Sequence, residues 1–148
     1  MANKPDMKTT FVEILDYLNE HLAEDPVYEW ILEEMTRRGF PHIQITPIQG
    51  RFLHSLVRLI GAHHVLEVGT LGGYSTIWMA TALPVGGKIV TLEANDRHAA
   101  LAREAFERAG VSQKVEVMVG PALATMAGLA LERPLDMVFI DADKSNNI

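Results

Sequence analysis

The sequence contains no cysteine, which excludes disulfide frameworks, thiolate metal centres and a cysteine nucleophile. It has no run of basic residues, and 13 Lys and Arg against 19 Asp and Glu leave a net charge of −6, so recognition of nucleic acid through a basic face is disfavoured. No apolar stretch approaches the roughly 20 residues that span a bilayer. The opening MANKPDMKTT lacks the apolar core of a secretory signal. A soluble, cytoplasmic protein is the expectation, with neither nucleic acid nor membrane among its partners. No repeat, low-complexity tract or linker divides the chain. What is present is 148 residues at 48% apolar content, enough for one domain with a core of its own. Residues 1–148 are therefore read as a single domain, with a helical front over 1–61 and alternating strands and helices over 62–148.

Three helices are expected in the front. TFVEILDYLNEHL opens on a capping box of Thr10 and Glu13, with Phe11, Ile14, Leu15, Leu18 and Leu22 at helical spacing. DPVYEWILEEMTRRG has Asp25 as N-cap, Pro26 in the first turn and Gly39 as the stop. TPIQGRFLHSLVRLIGA repeats the arrangement with Thr46, Pro47 and Gln49. Its stripe of Ile48, Phe52, Leu56 and Leu59 or Ile60 is expected to be buried.

After Gly61 the period changes. HHVLEVG, KIVTLE, KVEVMVG and LDMVFID are short apolar runs. Between them lie helical stretches, YSTIWMATAL, NDRHAALAREAFERAG and PALATMAGLAL, with Asn95 as a cap and a Glu104–Arg108 pair expected on the second. Strand and helix in alternation imply a parallel sheet with helices on its faces. Ligands of such sheets gather at the carboxyl ends of the strands. That rule collects Glu67 and Gly69, Glu93, Gly120 and Ala122, and Asp141, Asp143 and Lys144 on one edge.

The turn EVGTLGGYS is rich in glycine, and Glu93 ends the next strand, where a carboxylate can hold two ribose hydroxyls. The dinucleotide fingerprint G-x-G-x-x-G fails at Leu71. Glu67 adds negative charge beside the glycines, which suits a cationic adenosyl cofactor better than a diphosphate. S-adenosylmethionine is the expected cofactor, and a nicotinamide oxidoreductase is disfavoured. His63 and His64 are expected at the entry to a strand, the other histidines carry no assignment, the tryptophans and the seven methionines are expected in the core, and Tyr74 is expected as packing at a helix start, with contact to the cofactor as the alternative.

VLEVGTLGGYSTIWMATALP, IVTLEAN, KVEVMVGPA and DMVFIDADK, in that order after IQITPIQGRFL, resemble the metal-dependent O-methyltransferases, which include the catechol and caffeoyl-coenzyme A enzymes and their bacterial relatives. The resemblance covers nearly the whole chain. It implies a Rossmann-like α/β methyltransferase sheet, S-adenosylmethionine as donor, and a divalent cation, usually Mg2+, holding two neighbouring phenolic oxygens. By position, Ile45 would flank the cofactor. Glu67, Gly69, Thr70 and Gly73 would lie on the methionine side, with Ser75 at its carboxylate. Glu93 would hold the ribose, Ala122 would lie by the adenine and Asp143 near the sulfonium. Asp141 matches the first metal ligand and Lys144 the proposed general base. A homodimer and a small phenolic acceptor are implied as partners.

The chain departs from the pattern in two places. Pro121 stands where relatives commonly carry an acidic or polar residue. The pattern also places two further metal ligands, an Asp-Asn pair, at the end of a following strand that cannot be read here. The expectation is a domain with strands one to four and without its C-terminal strands, inactive by itself. The alternative is a non-catalytic S-adenosylmethionine-binding or dimerising fragment.

Overall fold

The computed structural model describes residues 12–14, 16–18, 25–129 and 133–142. Residues 12–14 and 16–18 are helical, with Ile14 and Leu18 exposed rather than buried. Thr10, Phe11, Leu15 and Leu22 lie outside the described residues, as do Asp143 and Lys144.

Helix α1 spans Pro26–Arg38. The Asp25 carboxylate accepts the Val27 amide at 3.0 Å, and Gly39 closes the helix in the left-handed region. Helix α2, Pro47–Leu59, starts on a complete capping box between Thr46 and Gln49. The alternating half follows as β1 (His64–Val68), α3 (Tyr74–Ala82), β2 (Lys88–Glu93), α4 (Asp96–Arg108), β3 (Val115–Val119), α5 (Ala122–Ala127) and β4 (Met137–Ile140).

The four strands form one parallel sheet in the order β3-β2-β1-β4. Because side chains alternate along a strand, β1 divides its residues between two layers. Val65 joins the large core with Ile89 and with residues of α1 to α4, while Leu66 and Val68 join Leu92 and α5 on the other face. Asp136 fixes where β1 and β4 begin, since its Oδ2 accepts the amides of His63 and His64 at 2.7 and 2.8 Å. Those two amides hold its carboxyl below the usual carboxylate range. Tyr28 joins the helical front to the sheet layer, stacked on Trp78 at 4.7 Å and tilted against Tyr74 at 4.8 Å.

Two expectations are corrected. Helix α2 buries Gly50, Leu53 and Val57, not the stripe of larger residues; Phe52 is 66% and Leu59 85% exposed. The reason is a close approach. A β-carbon on Gly50 would lie 2.2 Å from Trp78 Nε1, so the face without a side chain is the one that can sit on α3. On α4, Glu104 turns from Arg108 to Arg38, pairing with both its terminal nitrogens at 3.1 and 2.6 Å, and Arg108 lies over the Trp30 ring at 4.1 Å. Cross-helix pairing here displaces the local i,i+4 contact.

Candidate functional site

A cavity of about 690 Å3 opens at the carboxyl ends of β1, β2 and β4. That lies within the range of roughly 300–1,000 Å3 that holds small-molecule ligands. Its floor is the turn from Gly69 to Gly72, one wall is the loop carrying Pro41 and Ile45, and Glu93, Ala122 and Asp141 stand at its rim.

The turn is held from both sides. The Gly69 amide donates to Leu92 O at 2.9 Å, and the Asp141 amide donates to Val68 O at 2.9 Å. Leu71 follows with φ +50°, the one non-glycine residue in the left-handed region among the described residues. Its amide donates to Glu93 Oε2 at 2.7 Å, and the Asn95 amide donates to Glu93 Oε1 at 2.9 Å. Each carboxylate oxygen of Glu93 is thus fixed by one backbone donor and keeps further accepting capacity. Leu71, which breaks the dinucleotide fingerprint, is therefore the residue whose amide orients this carboxylate.

Glu67 takes a different place from the one its position suggests. It does not line the cavity but lies beneath it, fully buried under α3, because alternation along β1 turns it to the same face as Val65. Ser75 Oγ donates to its Oε1 at 2.5 Å, and Thr76 Oγ1 and Thr91 Oγ1 donate to its Oε2. Thr91 also meets Thr70 Oγ1 at 2.6 Å. With the Thr91 proton given to Glu67, Thr70 is the donor of that pair, so a relay runs from the turn to the buried carboxyl. Burial pushes the Glu67 carboxyl up to about 7, against the pull of the three hydroxyls. Its carboxyl faces these three hydroxyls and does not line the cavity.

Gly73 likewise faces away from the cavity. A β-carbon there would lie 2.6 Å from the Phe106 ring, and its φ of +83° already strains an L side chain, so both α4 and the backbone require glycine there. Ile45, Gly69, Thr70, Ser75, Glu93, Ala122 and Asp141 all line the cavity.

Two lining residues carry no signal in the sequence. His98, on the first turn of α4, has Nδ1 3.4 Å from Glu93 Oε1. Gln44 has its Oε1 buried at the wall without a hydrogen-bond partner among the described residues. An unmet buried acceptor costs about 1–3 kcal/mol, so a ligand with a donor there is favoured. With Glu93 and the close-approaching turn, this donor-seeking wall fits an adenosyl ligand bearing hydroxyls and an ammonium. For a metal the fit is incomplete. Among the described residues no three His, Asp or Glu side chains stand together as a metal site, and Asp141 is the only expected ligand that is described.

Fold and cavity define an α/β protein whose ligand site lies at the strand ends beside a glycine turn and an acidic β2 terminus. A family model described as O-methyltransferase matches residues 19–148. The catechol O-methyltransferase of Mycobacterium tuberculosis is 47% identical over 127 residues, covering 86% of this chain and 57% of that protein. The catechol O-methyltransferase of Niastella koreensis is 42% identical over 137 residues, covering 90% of this chain and 62% of its own. The O-methyltransferase of Bacillus cereus in complex with SAH superposes with a TM-score of 0.89 at 42% identity, over 95% of this chain and 66% of that one. The chain belongs to the O-methyltransferase family, and it spans about 57–62% of the length of these curated relatives. No helix among the described residues is long and apolar enough to cross a membrane.

Proposed function

We propose that the protein is an S-adenosylmethionine-dependent O-methyltransferase acting on a phenolic hydroxyl of a catechol-like or caffeoyl-type acceptor. The observation that carries this reading is the Glu93 carboxylate, fixed by the Leu71 and Asn95 amides at the rim of the cavity. A carboxylate so held can accept two ribose hydroxyls, and Gln44 offers an acceptor to the ammonium end. The names of the relatives, catechol and caffeoyl-CoA O-methyltransferases, support the acceptor class, and SAH or SAM in solved relatives supports the donor.

Transfer breaks the bond from sulfonium sulfur to methyl and forms one from phenolic oxygen to methyl. The phenol gives up its proton, and the sulfonium becomes a neutral thioether. Alignment of oxygen, methyl and sulfur supplies most of the acceleration. Lys144 is the proposed proton acceptor and Asp143 the proposed neighbour of the sulfonium, both outside the described residues. A divalent cation belongs to this reading, with Asp141 as one ligand; a bound cation would stabilise the phenolate and orient it. The homodimer and a cytoplasmic setting are part of the same proposal.

Calorimetry with S-adenosylhomocysteine tests it. Glu93→Ala removes charge-assisted hydrogen bonds worth about 1.5–3 kcal/mol each, so affinity should fall by at least tenfold. Unchanged affinity removes the ribose assignment. Labelled donor with a panel of catechols and coenzyme A thioesters identifies the acceptor in the whole protein.

A further inference from the structure

His98 joins two parts of the cavity, the end of β2 and the loop after α1. It is the third residue of α4, after the Asn95 cap. Side chains at that helix position reach back toward the cap, here toward the end of β2. The imidazole lies 3.4 Å from Glu93 Oε1 and is the one basic side chain that the described residues pair with that carboxylate. Its ring meets Phe40 edge-on at 4.5 Å. Phe40 is buried and has the Arg97 guanidinium 5.2 Å from its ring, while Arg97 also donates to Arg38 O at 3.0 Å. One residue after Phe40 begins the loop that forms the facing wall, with Pro41, Gln44 and Ile45 lining the cavity.

The contact between His98 and Glu93 is longer than a closed hydrogen bond, whose usual length is about 2.9–3.0 Å. Catalytic and binding pairs commonly stand open in this way before a ligand arrives and tighten with it. His98 itself lines the cavity and is largely covered.

We infer that His98 is a positioning residue for the nucleoside end of the cofactor. One ring nitrogen steers the Glu93 carboxylate toward the ribose, and the ring's edge-on contact with Phe40 ties that carboxylate to the opposite wall. The inference rests on the S-adenosyl reading proposed above and deepens it. Glu93 is the group that touches the ribose, and His98 acts through it.

The test is a double-mutant cycle read by calorimetry with S-adenosylhomocysteine. His98→Phe keeps the ring on Phe40 and removes the nitrogen, so affinity should fall roughly three- to tenfold, the worth of a typical hydrogen bond. His98→Gln, which restores a donor, should recover part of the loss. In a Glu93→Ala background, His98→Phe should change nothing further. Affinity equal to wild type in His98→Phe overturns the inference. So does an equal loss with Glu93 already removed, because the ring would then act by packing alone. If the wild-type chain shows no saturable binding, the S-adenosyl reading itself fails; if it binds and only His98→Phe is silent, that reading stands without this residue.

Discussion

Gly69 and Asp141 meet backbone to backbone, so closely that a β-carbon on Gly69 would lie 2.3 Å from the Asp141 carbonyl oxygen. The turn after β1 and the end of β4 therefore cannot move independently. The residue that opens the floor of the cavity also sets the height of the carboxylate at its rim. Gly69 has φ +103°, where an L side chain is strained. Gly69→Ala should cost about 1–3 kcal/mol from backbone strain, with overpacking of similar size added. Urea unfolding should show a clear drop in midpoint. A variant as stable as wild type would mean that β4 does not end against this turn.

Glu67 predicts a pH dependence whose sign is fixed by its burial. Its carboxyl is pushed up to about 7 in the folded protein, above the value near 4.3 of a free glutamate. Between these values the folded state holds a proton that the unfolded state has released. The contribution is full below about pH 4 and is lost as pH rises through about 7. Glu67→Gln, which imitates the protonated form, should remove this slope. Unfolding measured at pH 5, 6 and 7 checks it: relative to wild type, the variant should gain stability as pH rises. Parallel curves for the two proteins would show Glu67 ionised throughout.

The strand ends were legible because alternation of short apolar runs with capped helices leaves few ways to place them. Glu93 and Asp141 reach the cavity by that rule alone, and the caps at Asp25, Thr46 and Asn95 form as their residue types require. The side on which Glu67 lies was also latent in the period of β1. Its burial was not, since it depends on hydroxyls from Ser75, Thr76 and Thr91, the last brought beside it by strand pairing. His98 and Gln44 were illegible because no motif marks them. The first is placed by the turn after β2 and the second by packing of a loop.

Metal removal separates the two halves of the proposed chemistry. Asp141 is exposed and lines the cavity, while Glu93 and the turn are complete without a cation. In the whole protein, dialysis against a chelator should abolish methyl transfer while leaving S-adenosylhomocysteine affinity within about threefold, since the proposed contact between Glu93 and the ribose does not involve the cation. Added Mg2+ should restore turnover, and Asp141→Ala should not respond to it. Full turnover after chelation would move the protein to a metal-independent mechanism.

Helix α2 offers the sharpest contrast between pattern and packing. Two apolar stripes run along it, and hydrophobic spacing alone favours the one with Phe52 and Leu59, because its residues are larger. The structure buries the other, where Leu53 is 6% exposed and Val57 1%. The deciding factor is Gly50, which lets the helix approach Trp78 to a distance that no side chain would allow. Leu53→Ala should therefore cost about 2–5 kcal/mol, the usual range for a leucine removed from a packed core. Leu59→Ala, at an exposed position, should stay within about 0.5 kcal/mol. Denaturant unfolding of the two variants side by side decides between the stripes. A large loss from Leu59→Ala with little from Leu53→Ala would turn the helix over and withdraw Gly50 as the residue that seats it. The predicted order leaves Phe52 and Leu59 exposed, the surface on which self-association of the proposed homodimer can be probed by sedimentation.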